Sequence, residues 1–165
     1  MWTVLKFNKK NLNFLIKELK NKFGSNCFIY RPKLLVQKYK NNKLISKEID
    51  LLGDYLFFFH TNLEDKNFLN ILKFTKGLNY ILTGFQEVQN DIEVFIKKCK
   101  KFEDQKGYIS QNFFEINLNK KYKFITGPFV NEIFNIINLQ KNKINIFLGK
   151  NKTTINSNQY LFSSI

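Results

Sequence analysis

The segment Leu51–His60, Leu-Leu-Gly-Asp-Tyr-Leu-Phe-Phe-Phe-His, constrains the fold more than any other part of this sequence. Its end has the composition of a β-strand, in which successive side chains point to opposite faces of the sheet. The odd-numbered side chains share one face and are all aromatic: Tyr55, Phe57 and Phe59. The even-numbered side chains share the other face: Leu56, Phe58 and His60. Neither face suits water, so the strand is either central in a sheet covered on both sides, or covered by its own helices on one side and by a partner on the other.

The composition limits the classes of protein that come into question. A chain of 165 residues forms one domain or two small ones, and 44% hydrophobic and 16% aromatic residues exclude a disordered tail. The net charge of +14 indicates a polyanionic partner, either nucleic acid or an acidic membrane surface. The excess of Lys over Arg, together with many Asn, Ile and Phe residues, is also typical of AT-rich coding bias. No apolar run approaches the ~20 residues of a membrane span, so we expect a cytoplasmic protein that is not attached to a membrane.

The two cysteines, Cys27 and Cys99, stand in apolar surroundings without a CxxC motif or companion histidines. This pattern predicts small buried side chains and neither a disulfide nor a metal site. The sequence therefore indicates no metal and no cofactor.

The first hundred or so residues predict the order β-α-β-hairpin-β-α-β-α. The first helix follows the apolar spacing Leu12, Leu15, Ile16, Leu19 and Phe23 and ends at Gly24. Asn41-Asn42-Lys43 joins the two legs of the hairpin, because Asn tolerates positive φ. Strands that alternate with helices in this way predict an α/β sandwich with an antiparallel sheet and its helices on one side.

Residues 103–112 show no periodicity and are predicted to be a linker. Beyond them the sequence alternates in short apolar-polar runs, which predicts a small β-barrel over residues 113–165. The fold class is therefore α+β, with a sandwich at 1–102 followed by a barrel at 113–165.

Catalysis is not indicated by any group of residues. Glu48, Asp50 and Asp54 form the one local carboxylate cluster, and paired carboxylates can hold Mg²⁺, but they stand near a hairpin end. His60, the sole histidine, follows three phenylalanines and is better explained as a strand-end residue than as a base. We expect a protein that is not an enzyme.

Four segments together resemble the NusG/RfaH family of transcription elongation factors. They are Met1-Trp2-Thr3-Val4-Leu5, which resembles the family's first strand; Leu51-Leu52-Gly53-Asp54-Tyr55-Leu56-Phe57; Phe74-Thr75-Lys76-Gly77-Leu78; and Lys123-Phe124-Ile125-Thr126-Gly127-Pro128-Phe129, which resembles the KOW motif. The four segments occur in the family's order and with similar spacing, and together they span nearly the whole chain. The resemblance implies an N-terminal NGN domain (1–102), a linker (103–112) and a C-terminal, SH3-like KOW barrel (113–165).

The resemblance also implies partners. Family members bind the clamp helices of RNA polymerase through a hydrophobic patch, and the matching residues here are Leu52, Tyr55 and Phe57. Family members also reach the gate loop across the polymerase cleft and touch upstream or non-template DNA. The residue here that matches the family's DNA-contacting motif is Lys76. Lys20 and Lys22 are matches by position only.

The KOW motif residues Gly127, Pro128 and Phe129 imply a barrel that recruits a second partner, either termination factor Rho or a small-subunit ribosomal protein. The resemblance thus implies a monomeric, non-catalytic antitermination factor that raises processivity. The alternative is a ribosome-associated, KOW-type RNA-binding protein.

One departure from the family pattern concerns the glycine expected shortly after Phe129. Bulky residues stand there instead, so the turn has to be built without the freedom of Gly. RfaH-like paralogues also lack it, which favours a specialised paralogue. Some of these fold the C-terminal domain as a helical hairpin, and the spacing of Phe129, Ile133 and Ile136 allows a helix, but the β-branched residues around Ile144 and Thr153 favour strands.

Overall fold

A computed structural model of the chain describes the backbone of residues 1–165 and all side chains except that of Ser25. Along the chain the elements are β1 (Trp2–Phe7), α1 (Leu12–Phe23), β2 (Phe28–Tyr30), β3 (Lys33–Lys40), β4 (Lys43–Asp50), β5 (Tyr55–Phe59), α2 (Lys66–Lys73), β6 (Leu78–Ile81), α3 (Gln89–Lys101), β7 (Lys121–Phe124), β8 (Ile133–Leu139), β9 (Lys143–Leu148), β10 (Asn151–Asn156) and β11 (Phe162–Ser164). The fold is mixed α/β, and the element order of the first hundred residues is the predicted one. None of the described helices combines the length and the apolarity that a membrane crossing needs.

Contacts between residues divide the chain into two compact units. The first unit comprises residues 1–32 and 50–97, and the second comprises residues 33–49 and 98–165. This grouping differs from the predicted one because the β3–β4 hairpin belongs to the second unit. Whether 1–102 and 113–165 fold as separate domains, with 103–112 as a linker, stays a prediction.

The first unit is built on a four-stranded sheet with the order β2-β5-β1-β6. The strand predicted from Leu51–His60 is β5, and it is central, between β2 and β1. Antiparallel partners share a face, and Tyr55, Phe57 and Phe59 stand opposite three residues of β1: Lys6, Val4 and Trp2. We call this side of the sheet the aromatic face.

The opposite face of the sheet is closed by α1 and α2. Leu56 and Phe58 of β5 are fully buried there. Phe23 at the end of α1 packs its ring 5.8 Å from that of Phe58 and 4.6 Å from that of Phe68 in α2. Gly24 ends α1 with φ = 70° and donates its N–H to the Lys20 carbonyl, as the sequence predicts.

The third helix corrects the expectation that all helices lie on one side. The Phe95 ring of α3 lies 5.8 Å from that of Phe57, which belongs to the aromatic face. The Gln89 side chain at the start of α3 accepts a hydrogen bond from the Trp2 N–H at 2.8 Å and donates one to the Trp2 carbonyl at 2.6 Å. The apolar stripe of α3 has to be buried, and Phe57 supplies the apolar surface that it needs.

The second unit contains a five-stranded antiparallel sheet with the order β10-β9-β8-β7-β11. Five strands lie beyond residue 113, as the alternation predicts, and this region is not a helical hairpin; the first alternating run, Phe114, Ile116 and Leu118, was wrongly predicted as a strand and lies outside β7–β11. Alternate side chains point inward and form a core of their own: Tyr122, Phe124, Phe134, Ile136, Ile144, Ile146, Ile155 and Phe162. The hydrogen-bonded order has β10 and β11 at its ends, so a separate barrel domain with hidden edges stays a prediction.

The β3–β4 hairpin is tied to this sheet by main-chain hydrogen bonds. The Gln37 N–H donates to the Ile125 carbonyl at 2.8 Å, and the Gln37 side chain accepts the Gly127 N–H at 2.7 Å. The Ile109 N–H donates to the Lys33 carbonyl at 2.8 Å. The predicted linker therefore has defined contacts with the hairpin.

Asparagines with positive φ build two of the turns. Asn41 (φ 51°) and Asn42 (φ 57°) join β3 to β4, which confirms the predicted hairpin joint. Asn131 (φ 76°) stands in the turn between β7 and β8, in the region where the KOW pattern has its glycine. Because Asn adopts the left-handed conformation more readily than other non-Gly residues, it supplies the freedom that the missing glycine would give.

Candidate partner-binding surface

Two tyrosines and a lysine form a partly exposed cluster on the aromatic face. Lys6 of β1 is the cross-strand neighbour of both Tyr55 in β5 and Tyr80 in β6. Its Nζ lies 5.4 Å from each of the two ring centroids. The two phenol oxygens are 3.0 Å apart and share a hydrogen bond. Tyr80 is 47% exposed. We call Lys6, Tyr55 and Tyr80 the tyrosine–lysine surface.

The charges of this surface are fixed by its own contacts. Electrostatic interaction with Tyr55, then with Tyr80 and Asp54, raises the pKa of Lys6 above its usual value. The hydrogen bond shared with Tyr55 raises the pKa of Tyr80. The lysine is therefore charged and the tyrosine neutral at physiological pH. Asp54 lies 3.8 Å from the Lys6 Nζ and supplies the local countercharge.

The turn before β5 brings Leu52 next to this surface. The Gly53 N–H donates to the Asp50 carbonyl, and the Tyr55 N–H donates to the Leu52 carbonyl at 3.3 Å. Gly53 has φ = 68°, a conformation that favours glycine. Leu52 is half-buried and packs against the core of the first unit. Leu52 and Tyr55, two of the three predicted clamp-binding residues, thus flank one turn.

The third predicted clamp-binding residue, Phe57, lies differently. It is only 5% exposed, because Phe95 of α3 and Tyr30 of β2 cover its ring at centroid distances of 5.8 and 6.3 Å. The expectation that the whole aromatic face awaits a partner is therefore too broad. Phe57 supports the exposed part of this face from within.

Sequence reasoning missed several residues of the aromatic face. Lys6 and Tyr80 stand in short strands, and only the strand order brings them beside Tyr55. Phe28 in the edge strand β2 is 60% exposed, and its ring lies 5.9 Å from that of Phe59. The alternation of β1 predicts which of its residues share a face, but no local pattern predicts the neighbouring strands.

The predicted DNA-binding lysines lie near opposite ends of α1: Lys76 lies beside its first turns, and Lys20 and Lys22 belong to its last turn. Lys76 places its Nζ 5.3 Å from the ring centroid of Phe14, in the first turns of the helix. Lys20 and Lys22 lie in the last turn, where Lys22 pairs with Glu18 at 3.9 Å. With a rise of 1.5 Å per residue, Phe14 and the last-turn lysines are about 10 Å apart along the helix axis. The structure therefore does not bring the three lysines into one cluster.

The KOW-like residues lie at a tight turn of the second unit. Gly127 has φ = 87°, and a Cβ at this position would overlap the ring of Tyr160. The next residue, Pro128, is exposed. Phe129 is half-buried and packs its ring 5.7 Å from that of Phe124. Glycine is required here both for the conformation and for the close approach of the tyrosine.

The acidic residues considered as a metal site are engaged with basic partners. Asp50 accepts two hydrogen bonds from the Arg31 Nη2 at 2.6 and 2.9 Å, and Glu48 pairs with Lys33 at 2.9 Å. Asp54 pairs with Lys6. Within the part of the chain that the structure describes, no group of three or more His, Cys, Asp or Glu residues could hold a metal ion. His60 is buried and accepts the Asn62 N–H on its Nδ1 at 3.0 Å.

Comparison with solved structures finds matches of low TM-score and low sequence identity. No protein-family model and no curated protein matches the chain. Conformation B of the MjSpt4:Spt5 complex is similar with a TM-score of 0.30 and 15% identity, over 100% of this chain and 98% of that one. Conformation A gives a TM-score of 0.31 and 13% identity, over 99% of both chains. Thermotoga maritima NusG gives a TM-score of 0.32 and 12% identity, over 97% of this chain and 92% of that one. TM-scores of this size do not establish a common fold, so a family assignment has to rest on the residues themselves.

Proposed function

We propose that this chain is a transcription elongation factor of the NusG/RfaH type, which binds RNA polymerase and catalyses no reaction. The observation that carries the proposal is the tyrosine–lysine surface, held on a sheet next to Leu52. Of this surface, Tyr55 lies, like Leu52, in the segment whose sequence resembles the family's polymerase-binding patch. Exposed aromatic side chains on a rigid sheet are favourable anchors for a protein partner, because they bury much area and lose little rotamer entropy.

In this proposal Tyr55 and Tyr80 contact the clamp helices directly, with Leu52 at the rim. Phe57 contributes indirectly, since it packs between the sheet and α3 and keeps the strand beneath Tyr55 in place. The charged Lys6 offers a hydrogen-bond donor to a carboxylate or a helix C-terminus of the partner. Contact with the gate loop on the other side of the cleft would keep the polymerase closed around nucleic acid and so raise processivity through binding energy alone.

The DNA contacts are assigned to lysines, which hold phosphates without reading base sequence. Lys76 lies beside the exposed Phe14 and is the first candidate for upstream or non-template DNA. Lys20 and Lys22 form a second contact about 10 Å further along α1. Two separate contacts suit a backbone that runs along the helix.

The turn of Gly127, Pro128 and Phe129 is assigned to the second partner, termination factor Rho or a small-subunit ribosomal protein. Asn131 adopts a positive φ in the turn where the KOW pattern has its glycine. On the absence of that glycine from the sequence we propose a specialised RfaH-like paralogue. The exposed Pro128 next to the half-buried Phe129 gives this partner a small apolar contact at the tip of the turn.

The proposal is tested by the affinity of the full chain for purified RNA polymerase without nucleic acid. Tyr55→Ala and Tyr80→Ala are each expected to weaken binding by about 2 kcal/mol, or about 30-fold, if these residues are hot spots. The matched control is Phe74→Ala, an 84% exposed aromatic at the end of α2, which belongs to the opposite side of the sheet. Affinities of both tyrosine variants equal to that of the wild type would refute the assignment of this surface.

A further inference from the structure

A cavity in the second unit borders the core that the inward side chains of the sheet form. Its volume is about 280 Å³. Its walls are mainly apolar and come from β3, β7, β11 and the segments next to them: Leu34, Phe114, Tyr122, Ile125, Leu161 and Phe162. Three of these six side chains carry aromatic rings, so the cavity suits a flat apolar group of a small ligand.

The hydroxyl of Tyr122 is already used within the chain. It accepts the Asn117 N–H at 2.7 Å and donates to the Asn117 carbonyl at 3.2 Å. Tyr122 therefore offers the carbon surface of its ring to the cavity, as the two phenylalanines do. A ligand ring can pack against these aromatic walls without competing for a hydrogen bond of the fold.

Gln111 brings a buried amide into the lining. The side chain is only 3% exposed, and its Oε1 accepts the Phe162 N–H at 2.8 Å. No hydrogen bond within the described residues uses its Nε2. Among those residues the Thr3 hydroxyl is the one fully buried side-chain atom that lacks a partner, so the Gln111 Nε2 borders accessible space. It is a donor available to an oxygen atom of a ligand.

The mouth of the cavity carries one charged side chain, Glu115. It is exposed, and the residues that line the cavity include neither Lys nor Arg. Among the described ion pairs none involves Glu115. The sequence has 27 basic and 13 acidic residues, so a carboxylate without a basic partner is unusual in this chain. Its charge complements a cationic group of a ligand.

We propose that this cavity binds a small aromatic amine with a hydroxyl group on its ring. The ring lies against the aromatic walls, the hydroxyl oxygen accepts a hydrogen bond from the Gln111 Nε2, and the ammonium group pairs with Glu115 at the mouth. The three groups of such a ligand thus meet an apolar wall, a buried donor and a carboxylate. This site belongs to the second unit, and binding to it requires no polymerase.

The test titrates the full, isotope-labelled chain with tyramine and follows the amide chemical shifts of the protein by NMR. We expect changes confined to residues around the cavity, such as Gln111, Phe114 and Phe162, with a dissociation constant of about 0.1–1 mM for a ligand of this size. Phenethylamine lacks the hydroxyl, and para-ethylphenol lacks the amine. Each should bind about fivefold more weakly, because each loses one hydrogen bond or one ion pair.

Two glutamate variants separate the site from general charge. Glu115→Gln should weaken tyramine binding about fivefold and leave the affinity for para-ethylphenol unchanged, since that ligand has no cation. The matched control is Glu132→Gln, which removes an exposed carboxylate of the same unit that does not line the cavity. It should leave both affinities within about twofold of the wild type. Both glutamates are exposed, so neither variant is expected to disturb folding.

Three results would overturn the proposal. The first is tyramine binding that does not saturate or that shifts amides away from the cavity. The second is a Glu115→Gln variant that binds tyramine as tightly as the wild type does. The third is equal affinity of the wild type for tyramine, phenethylamine and para-ethylphenol, which would exclude the roles of both Gln111 and Glu115.

Discussion

Replacing Phe57 by Ala separates a structural from a binding role within the predicted clamp-binding set. The side chain is 5% exposed and packs against the rings of Phe95 and Tyr30. Truncation of a buried Phe removes its transfer free energy and leaves a cavity, which together cost about 3–5 kcal/mol. Tyr55 is only half-buried, and its replacement by Ala is expected to cost about 1 kcal/mol of stability.

The measurement is urea denaturation followed by the fluorescence of Trp2, the sole tryptophan, whose ring lies 5.2 Å from that of Phe59 in the same sheet. With an m-value of about 2 kcal/mol/M, Phe57→Ala should lower the midpoint by about 2 M, and Tyr55→Ala by about 0.5 M. Because Phe95 covers Phe57, the double variant Phe57→Ala/Phe95→Ala should lose less than the sum of the single changes. A loss below 1 kcal/mol for Phe57→Ala, with additive double-variant energies, would show that α3 does not cover this strand as described.

Three further predictions concern stability. The Thr3 hydroxyl is buried without a hydrogen-bond partner, so Thr3→Val should stabilise the protein by about 1 kcal/mol in the same denaturation assay, and destabilisation would contradict the burial of an unpaired hydroxyl. Burial lowers the pKa of His60 below 6.5, so the unfolded chain takes up a proton before the folded chain does as the pH falls. The free energy of unfolding of the wild type should therefore decrease below pH 6.5, and that of His60→Asn should decrease less steeply. Equal slopes for the two proteins would contradict this. Gly127→Ala should lower the free energy of unfolding by about 2–4 kcal/mol, because the new Cβ requires a left-handed backbone and also overlaps the ring of Tyr160. Gly149 has φ = 61° and open space around it, so Gly149→Ala should cost only the backbone strain of about 1 kcal/mol. Equal losses of stability in the two variants would exclude the overlap.

Local patterns predicted those elements whose cause is local. The apolar spacing from Leu12 to Phe23 fixes α1, Gly24 provides its end, and the pair Asn41-Asn42 provides the hairpin joint. In each case the residues that cause the structure are neighbours in the sequence, so that periodicity and turn preferences are sufficient.

The arrangement of these elements depends on distant residues and was predicted less well. The apolar stripe of α3 shows that one side of the helix is buried, but not on which face of the sheet it packs, and this decides whether Phe57 is exposed. Tyr80 joins Tyr55 only because β6 pairs with the far side of β1. Asn131 shows the same limit at a turn, since its sequence neighbours do not reveal that it takes over the conformation of a glycine.

A cryo-electron microscopy structure of the full chain bound to its cognate RNA polymerase would show directly whether the tyrosine–lysine surface is the polymerase-binding site. We expect Tyr55 and Tyr80 to be buried against the clamp helices, Phe57 to remain covered by Phe95, and Lys76 to face DNA. A complex in which the tyrosine–lysine surface stays open to solvent while another part of the chain contacts the polymerase would contradict it.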